Sequence, residues 1–330
     1  MSKIVIRLAL GVLLLALCLP AEAQQPTKIP RIGYLIVIGS SLSTSSARIE
    51  AFRQGLRELG YVEGKNIIIE WRSAEGKLDR VPALAAELVR LEVDIIVTAG
   101  PILTRAVKEA TSTIPIVMTQ DPDPVVTGFV ASLARPGGNI TGLATLAPEL
   151  NGKRLEFLKE IVPKLSRVAV FGTSIFPGNA QSLKEVELAA GAFKVKLQYL
   201  DVLNPKDFET AFRAAGKGRA DAVLMMVAAG VASAHRTEIV ELAVKSRLPV
   251  IYERGDYVEA GGLMFYGVNL NDLDRRAATF VDKILKGRTP ADLPVEQPKK
   301  FEFIINLKAA KQIGLTIPPN VLVRADRVIK

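Results

Sequence analysis

The 330-residue chain carries 43 Lys and Arg against 34 Asp and Glu, a formal charge of +9, and aromatic residues make up 6% of it. The positive charges are interspersed with acids and no run of five or six basic residues occurs, so a nucleic-acid groove of stacking rings on a basic stripe finds little support. With one cysteine and one histidine, a histidine-rich metal site is excluded. No metal and no cofactor is expected.

The first residues read as an export signal. Lys3 and Arg7 precede the apolar run from Leu8 to Leu19, and Ala21-Glu22-Ala23 places small residues at both cleavage positions before Gln24. That run is shorter than the ~20 residues that cross a bilayer as a helix. Residues 1–23 are therefore expected to be removed and the protein to work in the periplasm. Cys18 leaves with the signal, and Leu17 before it is not the small residue a lipidated cysteine requires. The rest has no thiol or disulfide, so its own core must hold the fold.

After that segment, short β-branched runs alternate with amphipathic helical ones. Ile32 to Ile38 predicts a strand; Ile49, Phe52, Leu56 and Leu59 recur at helical spacing and stop at Gly60. Strand 66–71, helix 78–91 with Pro82 in its first turn, strand 94–98, helix 102–110 and strand 116–118 follow. Asn139-Ile140-Thr141-Gly142 reads as a turn-rich crossing between lobes. A second series runs through helix 152–162, strand 167–171, helix 180–193, strand 196–202, helix 206–215 and strand 220–227, then helix 237–246 and strand 250–252. Residues 263–266 precede a helix with Asp272 as its candidate N-cap, Leu273, Ala277, Phe280 and Ile284 on one face and Gly287 at its stop, read as returning to the first lobe. Strand 301–305 and helix 307–313 end the series. This rhythm predicts an α/β fold of two doubly wound parallel-sheet lobes joined by a hinge with three crossings, lobe 1 comprising 24–142 plus 254–295 and lobe 2 comprising 143–253 plus 296–330.

Two such halves on an exported chain suit a hinged, ligand-trapping protein. In open parallel sheets the loops after the strands line the crevice. Here these are Gly39 to Ser46, Ala99-Gly100-Pro101 and Thr119 to Asp123 in the first half, and Gly172-Thr173-Ser174, Ala228-Ala229-Gly230 and Glu253 to Asp256 in the second. A ligand carboxylate would find donors in Ser40, Ser41 or Thr98 and in amides at helix starts after Gly39 and Gly100. An ammonium would need Asp121, Asp123 or Glu253. Asp123 reads equally as a helix N-cap ahead of Pro124, the Ser40–Ser46 cluster equally as a plain polar loop, and Arg254 equally as a carboxylate clamp or a bridge between lobes. Ala99, Gly100, Gln120, Thr173, Ser174 and Ala229 complete the candidate ligand contacts; Tyr34, Phe171, Tyr252 and Tyr266 fit core packing better than ligand stacking. Catalysis has little to work with: His235 sits in what reads as a helix start, and there is no Gly-x-Ser-x-Gly elbow, Walker loop or Gly-x-Gly-x-x-Gly. No enzyme is expected.

The run from Ala51 to Ile67, AFRQGLRELGYVEGKNI, resembles a family of ABC-importer substrate-binding proteins, and further blocks follow in that family's order: LARPGGNITGL at 133–143, VEAGGLM at 258–264, IINLK at 304–308 and GLTIP at 314–318. The resemblance implies a type I periplasmic-binding-protein fold closing over a small ligand, aromatic amino acids such as tryptophan or tyrosine in members with an assigned ligand. It also implies an ABC permease with its cytoplasmic ATPase as partner. The protein is expected to be a monomer. A ligand-presenting partner of a membrane sensor is the alternative on the same fold. Pro122-Asp123-Pro124-Val125 stands where members often carry Gly-Asp-Pro-Val, and Ser40-Ser41 where a Ser-Pro pair is frequent.

Overall fold

The computed structural model describes residues 28–37, 47–145, 147–176, 178–227 and 229–330. The signal segment, Ser40 and Ser41 lie outside the described residues. The first lobe holds β1 (Arg31–Ile36), α1 (Ala47–Glu58), β2 (Ile68–Ser73), α2 (Val81–Arg90), β3 (Ile95–Thr98), α3 (Pro101–Ala110), β4 (Ile116–Asp121) and β5 (Ile140–Ala144). These strands form a sheet in the order β2-β1-β3-β4-β5, parallel throughout. Strand side chains alternate between faces. Tyr34 and Ile36 of β1 accordingly pack with Phe52 and Leu56 of α1, whereas Leu35 packs with Leu84 and Leu88 of α2 and Leu103 of α3.

The second lobe follows with α4 (Ala147–Ile161), β6 (Arg167–Gly172), α5 (Asn179–Phe193), β7 (Lys196–Asp201), α6 (Asp207–Lys217), β8 (Ala222–Met226), α7 (Ala229–Ala232), α8 (Arg236–Lys245), β9 (Val250–Tyr252), α9 (Asp256–Glu259) and β10 (Met264–Val268). The chain then runs through α10 (Leu270–Leu285), β11 (Phe301–Asn306), α11 (Leu307–Ile313), α12 (Pro319–Leu322) and β12 (Arg327–Ile329). The second sheet has the order β12-β11-β10-β9-β8-β6-β7. All its pairings are parallel except β10 with β11.

Among the described residues three crossings join the lobes: from β5 into α4, from β10 into α10, and from the segment after α10 into β11. Helix α10 buries Leu273, Ala277, Phe280 and Val281 in the core it shares with α1. Their approach is close enough that a Cβ on Gly55 would lie 2.1 Å from the Arg275 carbonyl oxygen. Beyond α10, Glu296 bridges back to Leu143 of β5, exchanging hydrogen bonds with Gly142 and Ala144.

Four expectations need correction. Residues 254–268 belong with the second sheet and not with lobe 1, because β10 pairs with β9 and with β11. The Asn139–Gly142 stretch is no crossing: residues 140–144 are a fifth, fully buried strand. Its glycine disguised it, since Gly142 adopts φ +133° and a Cβ there would lie 2.0 Å from the Met118 carbonyl oxygen. The N-cap of α10 is Asn269, whose side chain accepts from the Asp272 amide at 2.8 Å, so Asp272 sits in the first turn. Finally, the charged C-terminus supplies β12, three residues that carry no periodicity of their own.

Candidate functional site

The lobes enclose a cavity of about 720 Å³, within the range of small-molecule sites. It lies at the carboxyl ends of the strands. Ile36 closes β1, Ala99 and Gly100 follow β3, Gln120 is near the end of β4, and Met226, Glu253 and Val268 stand at the ends of β8, β9 and β10. The rims meet where Pro122 of one lobe faces Gly178 of the other, at 4.0 Å from the position a Cβ on Gly178 would take.

Of the residues expected from the loops, Ala99, Gly100, Gln120, Glu253 and Arg254 line this cavity. Ala229 opens α7, two residues before Val231, which is on the wall. The others have partners elsewhere. Thr98 Oγ1 shares a buried hydrogen bond of 2.8 Å with Thr104 Oγ1. Thr173 Oγ1 donates to the Val202 carbonyl at 3.0 Å, and Ser174 bonds Asp201 through both its amide and its hydroxyl. Asp123 Oδ1 accepts from the Val125 and Val126 amides, but residues 124–128 form a turn and not a helix, so Asp123 fixes that turn instead of capping a helix. Asp121 is fully buried behind it, accepting from the Asp123 amide at 2.9 Å and from Thr127 Oγ1 at 3.2 Å. Three of the four aromatics are fully buried, Tyr34 on Phe52 and Trp71, Phe171 on Phe212 and Tyr252 on Tyr257, and the half-buried Tyr266 packs on Phe157.

Several wall residues escaped the loop argument because they sit on helices. Arg48 on α1 donates to Asp274 of α10 through Nε at 2.5 Å and Nη2 at 3.3 Å, and Tyr34 OH donates to the same carboxylate at 3.1 Å. With its amide turned so that the oxygen faces Arg48, Gln120 accepts from Arg48 Nε at 3.2 Å. Arg48 is thus neutralised in place. Arg254 is neutralised too, its Nε and Nη2 meeting Asp256 at 3.2 and 2.7 Å; burial opposes charge on Asp256, but Arg254 wins and holds its carboxyl below the usual range.

Arg154 on α4 differs. It is 2% exposed, and its hydrogen-bond partners are neutral oxygens: Tyr266 O receives Nε at 2.8 Å and Asn151 Oδ1 receives Nη1 at 2.6 Å. Among the described residues no carboxylate forms a salt bridge with it within 4.0 Å. Burial lowers its pKa to about 10, against the pull of Glu253 and Tyr266. Glu253 lines the same cavity and makes no side-chain hydrogen bond among the described residues. Burial raises its pKa, outweighing Arg154 and Arg254. Phe176, partly buried, is an aromatic ring on the wall.

The family model for ABC transporter substrate binding proteins matches residues 36–329. The chain belongs to this family. A tyrosine-binding protein of Clostridioides difficile strain R20291 is 24% identical over 266 residues, covering 81% of this binding protein and 76% of the relative. A solved conserved domain protein from Vibrio cholerae superposes with a TM-score of 0.83 at 30% identity, covering 91% of this chain and all of that one. An ABC domain from Streptococcus pneumoniae in complex with L-Trp has a TM-score of 0.83 at 24% identity, over 91% of this chain and 99% of that one. These neighbours share the two-lobe periplasmic-binding-protein fold. Among the described residues of this binding protein, no helix is long and apolar enough to cross a membrane.

Proposed function

We propose that this protein is the periplasmic ligand-capturing component of an ABC importer, that it takes an amino acid with an aromatic side chain into the interlobe cavity, and that the closed form delivers it to a membrane permease. One observation carries the reading: the cavity is walled by both lobes and by residues of two crossings, Thr145 and Leu270 among them, so a ligand there contacts both halves at once. Such a ligand favours closure by its differential affinity for the closed form. The mixed wall suits an amphipathic ligand: Ile36, Val37, Phe176, Met226 and Leu270 give apolar surface, and Arg154 and Glu253 give charge. The tyrosine-binding and L-Trp-bound relatives support the aromatic choice.

The test is a thermal-shift screen of refolded, ligand-stripped protein against amino acids, aromatic acids, purines and sugars. A ligand at 100 times its Kd adds about 2.7 kcal/mol of stability. Tryptophan, tyrosine or phenylalanine should raise Tm by several degrees. A hit confined to sugars or purines would reject the amino-acid reading while keeping capture.

A further inference from the structure

A buried charge is expensive unless a counter-charge or a set of dipoles compensates it. Of the charged groups on the cavity wall discussed above, Arg48 and Arg254 have their carboxylates at hydrogen-bond distance. Arg154 and Glu253 do not. Each feels the other's field, yet they stand too far apart for a salt bridge. Two opposite charges therefore face one cavity, each without a bonded counter-ion among the described residues.

The donors around Arg154 are arranged for a planar anion. Asn151 and Arg154 lie three residues apart on α4 and so share one face of the helix. Both are 2% exposed and both line the cavity. The bonds from Arg154 Nη1 to Asn151 Oδ1 and from Arg154 Nε to Tyr266 O lock the guanidinium in orientation. What they leave unbonded among the described residues is Arg154 Nη2 and Asn151 Nδ2, N–H donors of two side chains on one helix face that line one cavity. A carboxylate offers the matching pair of acceptors, and a guanidinium held rigid loses little entropy in binding it. Glu253 contributes only acceptors when ionised, which suits an ammonium.

We propose that Asn151 and Arg154 bind the α-carboxylate of the ligand and Glu253 its α-ammonium, so that the cleft selects the zwitterionic head group of a free amino acid. This rests on reading the cleft as a ligand trap and assigns the groups that read the ligand. All three residues belong to the second lobe, so the head group is recognised on one lobe before the other closes over it. Amines without the carboxylate, and acids without the ammonium, leave one buried charge uncompensated and are rejected.

Isothermal titration of the ligand-stripped protein tests this with three probes of one side chain: L-tryptophan, tryptamine and indole-3-propionate. L-Tryptophan should bind at least 100-fold more tightly than either analogue. Arg154→Met should weaken L-tryptophan at least 100-fold without weakening tryptamine, and Glu253→Gln should weaken L-tryptophan without weakening indole-3-propionate. Because Arg154 is buried and its replacement could prevent folding, Asn151→Asp is the second variant: its carboxylate keeps the bond to Arg154 Nη1 and puts an anionic acceptor where the Nδ2 donor stood, which repels the ligand carboxylate, so L-tryptophan binding should again fall at least 100-fold. Equal affinity for the three probes, or unchanged L-tryptophan affinity in Asn151→Asp, overturns the assignment while the ligand trap stands. If L-tryptophan, tryptamine and indole-3-propionate all fail to bind while a sugar or purine does, this head-group assignment is overturned and capture survives. If no compound of any class binds, capture falls and the assignment with it.

Discussion

Arg48 and Asp274 are 226 residues apart in sequence and meet as a buried ion pair, Nε to Oδ2 at 2.5 Å. Asp274 is fully buried, and Tyr34 OH adds a third bond to it. The pair fastens α10, which returns from the second lobe, to α1 and β1 of the first. Removing one partner strands the other's charge in the core. Asp274→Ala should lower the unfolding free energy by about 3–5 kcal/mol, whereas a paired Arg48→Met, Asp274→Leu variant should recover much of it. Urea unfolding monitored by circular dichroism measures both; equal losses in the two variants would show that the ion pair is not what holds the helix.

Asp121 should give the protein a pH-dependent stability. Burial raises its pKa to about 7, against the lowering effect of the Thr127 hydroxyl and the Asp123 amide, and its Oδ2 has no hydrogen-bond partner among the described residues. The folded state therefore holds a proton that the unfolded state has released between pH ~4 and ~7. The unfolded chain binds fewer protons there, so stability falls as pH rises through that window and levels off above pH 7. Asp121→Asn should flatten this slope and raise Tm at pH 8. Parallel Tm–pH curves for the two proteins from pH 5 to 8 would contradict it.

Gly142 sets the spacing of β4 and β5. With φ at +133° and the Met118 carbonyl oxygen 2.0 Å from where a Cβ would be built, Gly142→Ala must push the strands apart. A loss of at least ~2 kcal/mol is expected, since both strain and displacement act. The neighbouring Thr141 donates to the Leu293 carbonyl at 2.6 Å across a crossing. Thr141→Val should cost a smaller ~1–2 kcal/mol by leaving that buried carbonyl without its donor. Denaturant midpoints rank the two; a milder effect for the glycine variant would refute the steric account.

Phe176 should govern preference for aromatic over aliphatic ligands under the proposed function. Ring pairs in contact contribute ~0.5–1.5 kcal/mol beyond area burial. Phe176→Leu keeps an apolar wall, and so should weaken tryptophan or tyrosine by about 3- to 10-fold with little change for leucine. Titration calorimetry with the three amino acids decides it, and uniform weakening of all three would assign Phe176 to packing alone.

The alternation of strands and helices and the return of α10 were legible in the chain because each rests on local periodicity: a half-buried strand repeats every two residues and an amphipathic helix every 3.6. The ordered blocks from Ala51 to Pro318 carried the family for the same reason, being contiguous runs. Strand β5 was not legible. Its Asn-Ile-Thr-Gly start reads as a turn, and only the close approach of β4 explains why a glycine belongs inside a buried strand.

For the cleft, sequence by itself determined that loops at the carboxyl ends of strands would surround it, and Ala99, Gly100, Gln120, Glu253 and Arg254 do line the cavity. It could not determine that Asp121 turns inward to Thr127, nor that Arg48, Asn151 and Arg154 on helices would reach the wall. The physical reason is that helical periodicity says which residues share a face but not what that face meets. An arginine on an amphipathic helix reads as a solvated charge until tertiary packing removes the water and decides which carboxylate, if any, stands opposite it.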